Sequence, residues 1–298
     1  MGLARVLFLG LAGVFSRSAL AVLLEAGVDV VGVVTPEGSL TVPIRRLPPP
    51  TAVSPLPILN PFAESTILEL AWRQNIPVFQ LRQPGHAQSL TVLAELGAKT
   101  AVVACYNQKI PPQLLALPRH GFLNIHPSLL PAYRGIAPLF WQLRAGETNT
   151  GVTVHWMDAG LDTGPILAQT AVPLPDGASG AELDKLLAET GAKLLCHHLP
   201  TLAAAPRRPQ PPGGSAQPAP TAADFRLEPT WPAKRAFNFM RGTDDWGRPY
   251  PITISGKTWL LGTAVGFDEE GVQEEVVVVN GRDISIQFQF GSLSIQLR

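Results

Sequence analysis

The feature that most constrains this fold is an alternation, near the start of the chain, between apolar runs and a helical segment. Residues 5–11 read RVLFLGL, and a second run, VDVVGVVT, begins at Val28 after one amphipathic stretch. A buried strand, a helix and another buried strand are typical of a parallel sheet with crossover connections. Apolar runs at 77–81 and 99–106 extend the pattern. The sequence therefore predicts an α/β fold with a parallel sheet.

The apolar start also resembles a secretory signal peptide, because an arginine precedes the run VLFLGLAGVF. Gly10 and Gly13 interrupt that run and an amphipathic pattern continues beyond it, so we expect a strand, a turn and a helix. No apolar stretch reaches the roughly 18 residues that a membrane helix needs. Two cysteines are too few for a disulfide framework. These observations predict a soluble, cytoplasmic protein with no membrane partner.

A proline-rich segment, PRRPQPPGGSAQPAP, occupies residues 206–220. Its prolines favour an extended chain, and its glycine pair is typical of a flexible joint. Alternating stretches and an Asn-Gly turn follow it, as in a small β-rich domain. We therefore expect a domain over 1–205, a linker over 206–220 and a β-rich domain over 221–298. The proline-rich residues 40–61 are predicted to form a surface loop.

Charge excludes one class of function. The chain has 23 basic and 23 acidic residues; 13 of each lie up to Ala205 and 10 of each follow it. Neither part is a basic module, which argues against strong nonspecific binding of nucleic acid. The first turn, GLAGVFS, also lacks the G-x-G-x-x-G pattern of nicotinamide-binding proteins.

Polar residues are densest between Phe122 and Gly135. In an extended segment Asn124 and His126 lie on one side, with Ile125 on the other. Asp162 follows in a loop flanked by glycine and proline that could bring its carboxylate to the imidazole. An amide donor, an imidazole and a carboxylate suit addition to a carbonyl group. From these residues alone, His126 is equally well explained as a packed structural histidine.

Two motifs together carry a family resemblance. The segment FLNIHPSLLPAYRGIAPLFWQL, followed by GVTVHWMDAGLDTGPIL, resembles the 10-formyltetrahydrofolate-dependent formyltransferases. N-x-H-P-S-L-L-P with L-D-x-G about 35 residues on is more specific than any lone glycine motif. The resemblance extends from about Arg5 to Ala204 and implies a Rossmann-like domain. The linker and β-rich tail resemble the two-domain layout of some family members.

The resemblance implies roles for particular residues. Asn124 matches the asparagine that binds the formyl oxygen, His126 the histidine that handles the proton, and Asp162 the aspartate that supports it. The acceptor amine attacks the formyl carbon directly, without a covalent enzyme intermediate and without a metal. The reduced folate donor is expected along two segments, at Tyr106, Asn107, Gln108, Ile110, Met157, Asp158 and Gly160. We expect His155 to be a packed or rim histidine.

The acceptor is less constrained. MDAGLDTGPIL and the two-domain layout are closest to the methionyl-tRNA enzymes, so initiator methionyl-tRNA is the expected acceptor. A basic loop usual in those enzymes is reduced to Arg45 and Arg46, and the tail is neutral, which suits an amino sugar nucleotide or another small amine. A formyltetrahydrofolate hydrolase and a non-catalytic folate-binding protein stay open. With tRNA as acceptor, its phosphates are expected at Arg226, Lys234, Arg235 and Arg241.

Overall fold

The computed structural model describes residues 5–50, 66–272, 276–281 and 283–296. The chain forms two compact units, neither of them continuous in sequence. The first unit comprises Met1–Arg134, Gly151–Ala171 and Lys185–Ser215, and the second comprises Gly135–Thr150, Val172–Asp184 and Ala216–Arg298. Each unit is made of three chain segments, which alternate along the sequence with those of the other unit. The domain boundaries expected at 205 and 220 stay a prediction.

An eight-stranded sheet forms the core of the first unit, in the order β3-β4-β2-β1-β5-β6-β7-β8. Its strands are β1 (Val6–Gly10), β2 (Val30–Pro36), β3 (Ile44–Leu47), β4 (Val78–Leu81), β5 (Thr100–Ala104), β6 (Phe122–His126), β7 (Asn149–Trp156) and β8 (Ile166–Pro173). Pairing is parallel across the five central strands, which lie in the order β4-β2-β1-β5-β6. β3 and β7 pair antiparallel with β4 and β6. The predicted α/β class is confirmed, with a sheet that is mixed toward its edges.

The described part of the chain contains seven α-helices, shared between the two units. They are α1 (Val14–Glu25), α2 (Ile67–Arg73), α3 (Ala87–Glu95), α4 (Pro112–Leu115), α5 (Pro138–Ala145), α6 (Gly180–His198) and α7 (Ala233–Thr243). α1 follows β1 after a short turn, as the strand-turn-helix prediction requires. The Ser16 hydroxyl closes that turn, accepting from Leu11 N at 2.9 Å and donating to Ala104 O at 2.6 Å. None of the described helices is long and apolar enough to cross a membrane.

The prediction of a surface loop over 40–61 is wrong for one part of that range. Ile44–Leu47 forms β3, the edge strand that pairs antiparallel with β4. Pro43 and Pro48 flank it, and an edge strand tolerates neighbouring prolines because one side of its backbone is unpaired. Ile44 is buried, which gives the strand an apolar anchor. Residues 51–61 of the predicted loop lie outside the described residues.

Antiparallel strands dominate the second unit, which confirms the predicted β-rich tail. β9 (Tyr250–Ile254) pairs with β10 (Lys257–Leu261). A four-stranded sheet has the order β11-β14-β13-β12, formed by β11 (Thr263–Asp268), β12 (Val277–Asn280), β13 (Asp283–Gln287) and β14 (Ser292–Gln296). The predicted Asn280-Gly281 turn joins β12 to β13, where Asn280 pairs with Asp283.

Aromatic side chains fill the core of the second unit. Phe140 on α5 and Phe239 on α7 lie 5.3 Å apart between ring centroids, and Phe225 is 5.1 Å from Phe140. Tyr250 packs 5.9 Å from Phe239, and its buried hydroxyl donates to Met240 O at 3.0 Å. The phenol therefore keeps a hydrogen-bond partner inside an apolar core, as a buried tyrosine needs.

The proline-rich segment is bonded to the first unit over residues 208–215, which we call the strap. Arg208 and Ile166 exchange backbone hydrogen bonds of 2.7 and 3.4 Å. Gly214 has φ +87°, and a Cβ there would lie 2.2 Å from Pro131 O, so no other residue fits without a backbone shift. The glycine pair that suggested a flexible joint therefore includes a residue needed for close packing of backbone on backbone.

Candidate active site

β6 presents Asn124 and His126 on one side of the sheet. Ile125 lies between them and is buried, as the alternation predicts. His126 is itself buried, and Asn124 is half-buried. The antiparallel register places Asn124 opposite His155 and His126 opposite Thr153 on β7. A second histidine therefore enters the site from the neighbouring strand.

The loop after β7 brings Asp162 to these residues. Asp162 Oδ1 lies 3.3 Å from Asn124 Nδ2, and Asp162 Oδ2 lies 3.7 Å from His126 Nδ1. The loop is tight at its end, since a Cβ on Gly164 would lie 1.8 Å from Trp156 O. Asp162 adopts φ +55°, a left-handed conformation that non-glycine residues rarely take. The three residues proposed for catalysis thus meet in one cluster.

His155 belongs to the same cluster, which the sequence did not indicate. Its Nε2 lies 3.2 Å from Asn124 Nδ2 and 3.6 Å from Asp162 Oδ1. β7 is buried at every position from 150 to 156, so no alternation distinguishes the side of the sheet that His155 faces. Only the register between β6 and β7 places this ring opposite Asn124. His155 is buried, as expected of a packed histidine, but that expectation did not include its polar contacts with Asn124 and Asp162.

Hydrogen bonding fixes the proton on the His126 ring. Its Nε2 is 3.0 Å from Tyr133 O, and a carbonyl oxygen can only accept, so Nε2 carries the hydrogen. In the neutral ring, Nδ1 then carries no hydrogen, and its lone pair lies on the side of Asp162. Burial lowers the pKa of His126, the Asp162 charge opposes that shift, His155 lowers it further and the Tyr133 carbonyl raises it. The ring is suited to accept a proton at Nδ1, where Asp162 stabilises the charge.

The same reasoning assigns the Asn124 amide. His155 Nδ1 is 2.9 Å from Trp156 O and carries the hydrogen, so Nε2 of the neutral ring accepts from Asn124. The second amide hydrogen of Asn124 is directed at Asp162 Oδ1. Both contacts exceed the usual length of about 2.9–3.0 Å. The amide is therefore oriented by two weak bonds, either of which an incoming carbonyl oxygen can replace.

The seven residues expected to bind the donor lie in two loops of the first unit. Tyr106 and Met157 are half-buried against one apolar cluster, and Ile110 is part of that cluster. The Tyr106 hydroxyl donates to Gln108 Oε1 at 3.2 Å, and burial raises the pKa of this phenol. Met157 N donates to Phe122 O at 2.8 Å. The three remaining residues, Asn107, Asp158 and Gly160, are all exposed.

Asp158 has a local structural task within its loop. Its Oδ1 accepts from Gly160 N at 3.0 Å and from the Thr163 hydroxyl at 2.7 Å. These bonds shape the turn that returns the chain toward Asp162. Among the described residues, no group of three or more histidines, cysteines or acidic residues is arranged to hold a metal ion.

The four basic residues expected to meet phosphates all have partners within the second unit. Lys234 Nζ lies 2.8 Å from Asp176 Oδ2, and Arg235 stacks 4.0 Å above the ring of Trp231. Arg226 donates to the Thr253 hydroxyl at 3.0 Å. Arg241 donates to Gly177 O at 3.1 Å. This positive charge is therefore held by local contacts, which a phosphate would have to displace.

Other cations line a cavity of about 260 Å³ in the first unit. Arg119, His120, Trp156 and Arg207 form its polar wall, and the Arg207 guanidinium lies 5.1 Å from the Trp156 ring centroid. Burial lowers the pKa of His120, and the charges of Arg119, Lys99 and Arg207 lower it further. Arg119 and Arg207 are exposed. The cavity is therefore positive and open to an anionic group.

An amide and an imidazole on β6 thus meet a carboxylate from the loop after β7, an arrangement suited to transfer of a group at a carbonyl carbon. Residues 19–199 match the model of the family described as formyl transferase. The chain belongs to this family, whose members are enzymes that transfer formyl groups. The resemblance found in the sequence is thereby confirmed. Asn124, His126, His155 and Asp162 all lie in the matched segment.

Individual relatives resemble the chain over most of its length. A methionyl-tRNA formyltransferase of Pelotomaculum thermopropionicum is 35% identical over 272 residues, which cover 90% of this chain and 80% of the relative. That of Geobacter sulfurreducens is 32% identical over 296 residues, covering 98% and 88%. A solved N-formyltransferase of Helicobacter canadensis, in complex with folinic acid and dTDP-3-aminofucose, shares the fold with TM-score 0.66 and 14% identity, over 99% of each chain.

Proposed function

We propose that this protein transfers a formyl group from 10-formyltetrahydrofolate to the amino group of methionyl-tRNA. The observation that carries the proposal is the buried cluster of Asn124, His126 and Asp162, which offers a carbonyl-oxygen donor and a supported proton acceptor in one place. The methionyl-tRNA formyltransferases that resemble the chain over 90% and 98% of its length favour this acceptor. A cytoplasmic location is part of the proposal, supported by the low cysteine content.

The proposed reaction divides between the amide and the imidazole. The acceptor amine attacks the formyl carbon and forms the new C–N bond while negative charge develops on the formyl oxygen. Asn124 Nδ2 donates to that oxygen in place of one of its two long bonds. His126 Nδ1 takes the proton that the amine nitrogen must lose, and Asp162 stabilises the imidazolium. The C=O bond then re-forms as the C–N bond to the folate breaks, and the His126 imidazolium returns its proton to the leaving folate nitrogen.

The donor is proposed to lie along the two loops at Tyr106, Asn107, Gln108, Ile110, Met157, Asp158 and Gly160. Both loops pack on the same apolar cluster through Tyr106 and Met157, which offers a half-buried surface for a flat heterocycle. The 5-formyl analogue should therefore raise the melting temperature, corresponding to about 2.7 kcal/mol at a concentration one hundred times its Kd. Stabilisation by a nicotinamide nucleotide, with none by folates, contradicts this assignment.

For the acceptor, we propose that tRNA phosphates bind at the cavity lined by Arg119 and Arg207, and not at the four basic residues expected from the sequence, Arg226, Lys234, Arg235 and Arg241. Arg119 and Arg207 are exposed and line one cavity, whereas Lys234 is paired with Asp176 and Arg235 is stacked on Trp231. Arg119→Gln with Arg207→Gln should weaken methionyl-tRNA binding and reduce its salt dependence. The expected reduction is roughly 0.7 to 0.9 log units per log unit of salt for each lost phosphate contact.

Lys193→Gln is the matched control, because this lysine is 68% exposed on α6 and is not in the cavity. It should leave the salt dependence unchanged. Formyl transfer to methionyl-tRNA that is equally salt-dependent in the double arginine variant contradicts the cavity as a phosphate site. Folate-induced stabilisation of both variants confirms that they are folded.

A second candidate is formyl transfer to an amino sugar nucleotide or another small amine. The balance of 10 basic and 10 acidic residues after Ala205 favours it, since a tRNA-binding tail gains from excess positive charge. Incubation with 10-formyltetrahydrofolate and a panel of amines separates the candidates. Formyl-methionyl-tRNA supports the first proposal, and a formylated amino sugar with unmodified tRNA supports the second. Free formate with no acceptor points to a hydrolase, and no turnover with intact folate binding points to a folate-binding protein.

A further inference from the structure

The strap carries a glutamine that joins the two loops of the candidate active site. Gln210 Nε2 donates to Asp162 O at 2.7 Å and to Gly164 O at 2.9 Å. Its Oε1 accepts from Arg134 Nη2 at 2.6 Å and from Arg134 Nε at 3.1 Å. These four bonds use both hydrogens and both lone pairs of the amide. One half-buried side chain thus connects the loop after β7 with the loop after β6.

A serine at the end of the strap makes a second set of contacts. Ser215 Oγ accepts from Tyr133 N at 2.8 Å, Ser215 O accepts from Arg134 N at 2.9 Å, and Ser215 N donates to Pro131 O at 3.1 Å. Tyr133 O is the acceptor for His126 Nε2. Ser215 is therefore separated from the catalytic imidazole by a single residue.

Both loops carry a residue in an unfavourable backbone conformation at the point where the strap binds. Asp162 has φ +55° and Tyr133 has φ +58°. Non-glycine residues keep such a conformation only when their surroundings hold them there. Gln210 bonds the carbonyl of Asp162, and Ser215 bonds the amide of Tyr133. The strap thus holds both of these backbone positions.

We propose that Gln210 and Ser215 are positioning residues for formyl transfer. Gln210 fixes the loop from which the Asp162 carboxylate faces Asn124 and His126. Ser215 fixes the Tyr133 carbonyl, which holds the His126 ring and its tautomer. The proposal rests on the proposed function of the cluster, and neither residue touches the reacting atoms.

Kinetics of strap variants give the first test. Gln210→Ala should lower kcat by about ten- to one-hundredfold, because small displacements of catalytic groups are costly, with KM for the folate changed less than about twofold. Gln210→Met, which keeps the side-chain length without the amide, should show the same loss. Ser215→Ala should lower kcat by roughly three- to tenfold, and Ser215→Thr, which keeps the hydroxyl, should restore it. Pro212→Ala, an exposed position on the same strap, should leave kcat unchanged.

Titration of His126 by NMR gives a second test, which needs no activity. The groups that face this ring are Asp162, His155 and the Tyr133 carbonyl, and only Asp162 carries a full charge that favours the imidazolium. Displacing Asp162 should therefore move the titration of His126 to lower pH. Gln210→Met and Asp162→Asn should shift it in the same direction, and Pro212→Ala should not shift it. The His126 signal is identified by its loss in His126→Gln.

Combining the variants tests whether Gln210 acts through Asp162. In the Asp162→Asn background, adding Gln210→Met should lower kcat by less than about twofold, because coupled residues are not additive. An unchanged kcat in Gln210→Met, or a lowered kcat with an unmoved His126 titration and additive losses, overturns the positioning role. If the unaltered protein formylates no amine, the proposed function fails. The titration still decides whether the strap positions Asp162 against His126.

Discussion

Two buried clusters, one in each unit, are built on different principles. In the first unit, Asn124, His126, His155 and Asp162 meet through directed polar contacts of 3.2 to 3.7 Å. In the second unit, Phe140, Phe225, Phe239 and Tyr250 pack with ring centroids 5.1 to 6.3 Å apart, without directed bonds between their rings. Apolar area stabilises a fold in proportion to its burial, whereas a polar cluster contributes less net stability than its contacts suggest. Activity and stability should therefore respond to different substitutions.

The largest effect on stability is expected in the aromatic cluster. Phe239 is fully buried between Phe140, Trp231 and Tyr250. Phe239→Ala should lower the free energy of unfolding by about 3–5 kcal/mol, measured by denaturant titration, because it removes buried area and leaves a cavity. Phe290→Ala, at a ring that is 60% exposed, should change it by less than about 0.5 kcal/mol. Equal losses in the two variants would mean that the aromatic packing is not the source of stability.

The polar cluster should give the opposite result. Asn124→Ala should lower kcat by about 10²–10³-fold, or roughly 3–4 kcal/mol of activation free energy, through loss of the donor to the formyl oxygen. Its unfolding free energy should change by less than about 1 kcal/mol. Asn149→Ala, an exposed asparagine at the start of β7, is the control and should have full activity. A folded Asn124→Ala protein with near-normal transfer contradicts the role of this amide.

A smaller effect should appear at Asp184, a half-buried carboxyl group on α6 in the second unit. Burial, and then the neighbouring charge of Asp245, raise the pKa of Asp184 to about 6. The folded state therefore binds this proton more tightly than the unfolded state, so stability falls as pH rises from about 4 through 6. Asp184→Asn should remove this dependence and stabilise the protein by about 1–2 kcal/mol at pH 7. Asp283→Asn, at an exposed position, should change the free energy of unfolding at pH 7 by less than about 0.5 kcal/mol.

The smallest effect is expected at the ion pair of Lys234 with Asp176. Both side chains are partly exposed, so Lys234→Gln should cost less than about 1 kcal/mol of stability. Because this lysine is already paired, methionyl-tRNA formylation and its salt dependence should not change. A clear loss of tRNA formylation would favour a phosphate site near α7 and contradict the proposed site at the cavity of Arg119 and Arg207.

The sequence predicted those parts of the site that depend on local pattern. The alternation in Asn124-Ile125-His126 gave the correct side for both polar residues, and the glycines around Asp162 indicated the tight loop. His155 could not be predicted to face Asn124, because strand register depends on pairing between β6 and β7. The edge strand β3 was missed since proline composition outweighed a four-residue run, and edge strands tolerate such neighbours.

The second unit shows a further limit of local reasoning. Residues 135–150 and 172–184 belong to it although they lie within the segment that resembles the family's catalytic half. Phe140 on α5 packs against Phe225 and against Phe239, which lies about one hundred positions further along the chain. A contact at that separation leaves no periodic signal in the sequence.

The strap also affects how this chain can be recombined with its relatives. Its residues lie beyond the matched segment 19–199, yet Gln210 and Ser215 bond to loops within that segment. A chimera joined at Ala205 would exchange these two residues together with the tail and would combine one protein's loops with another's strap. A junction placed after Ser215 would transfer the tail while each catalytic half keeps the strap with which it evolved.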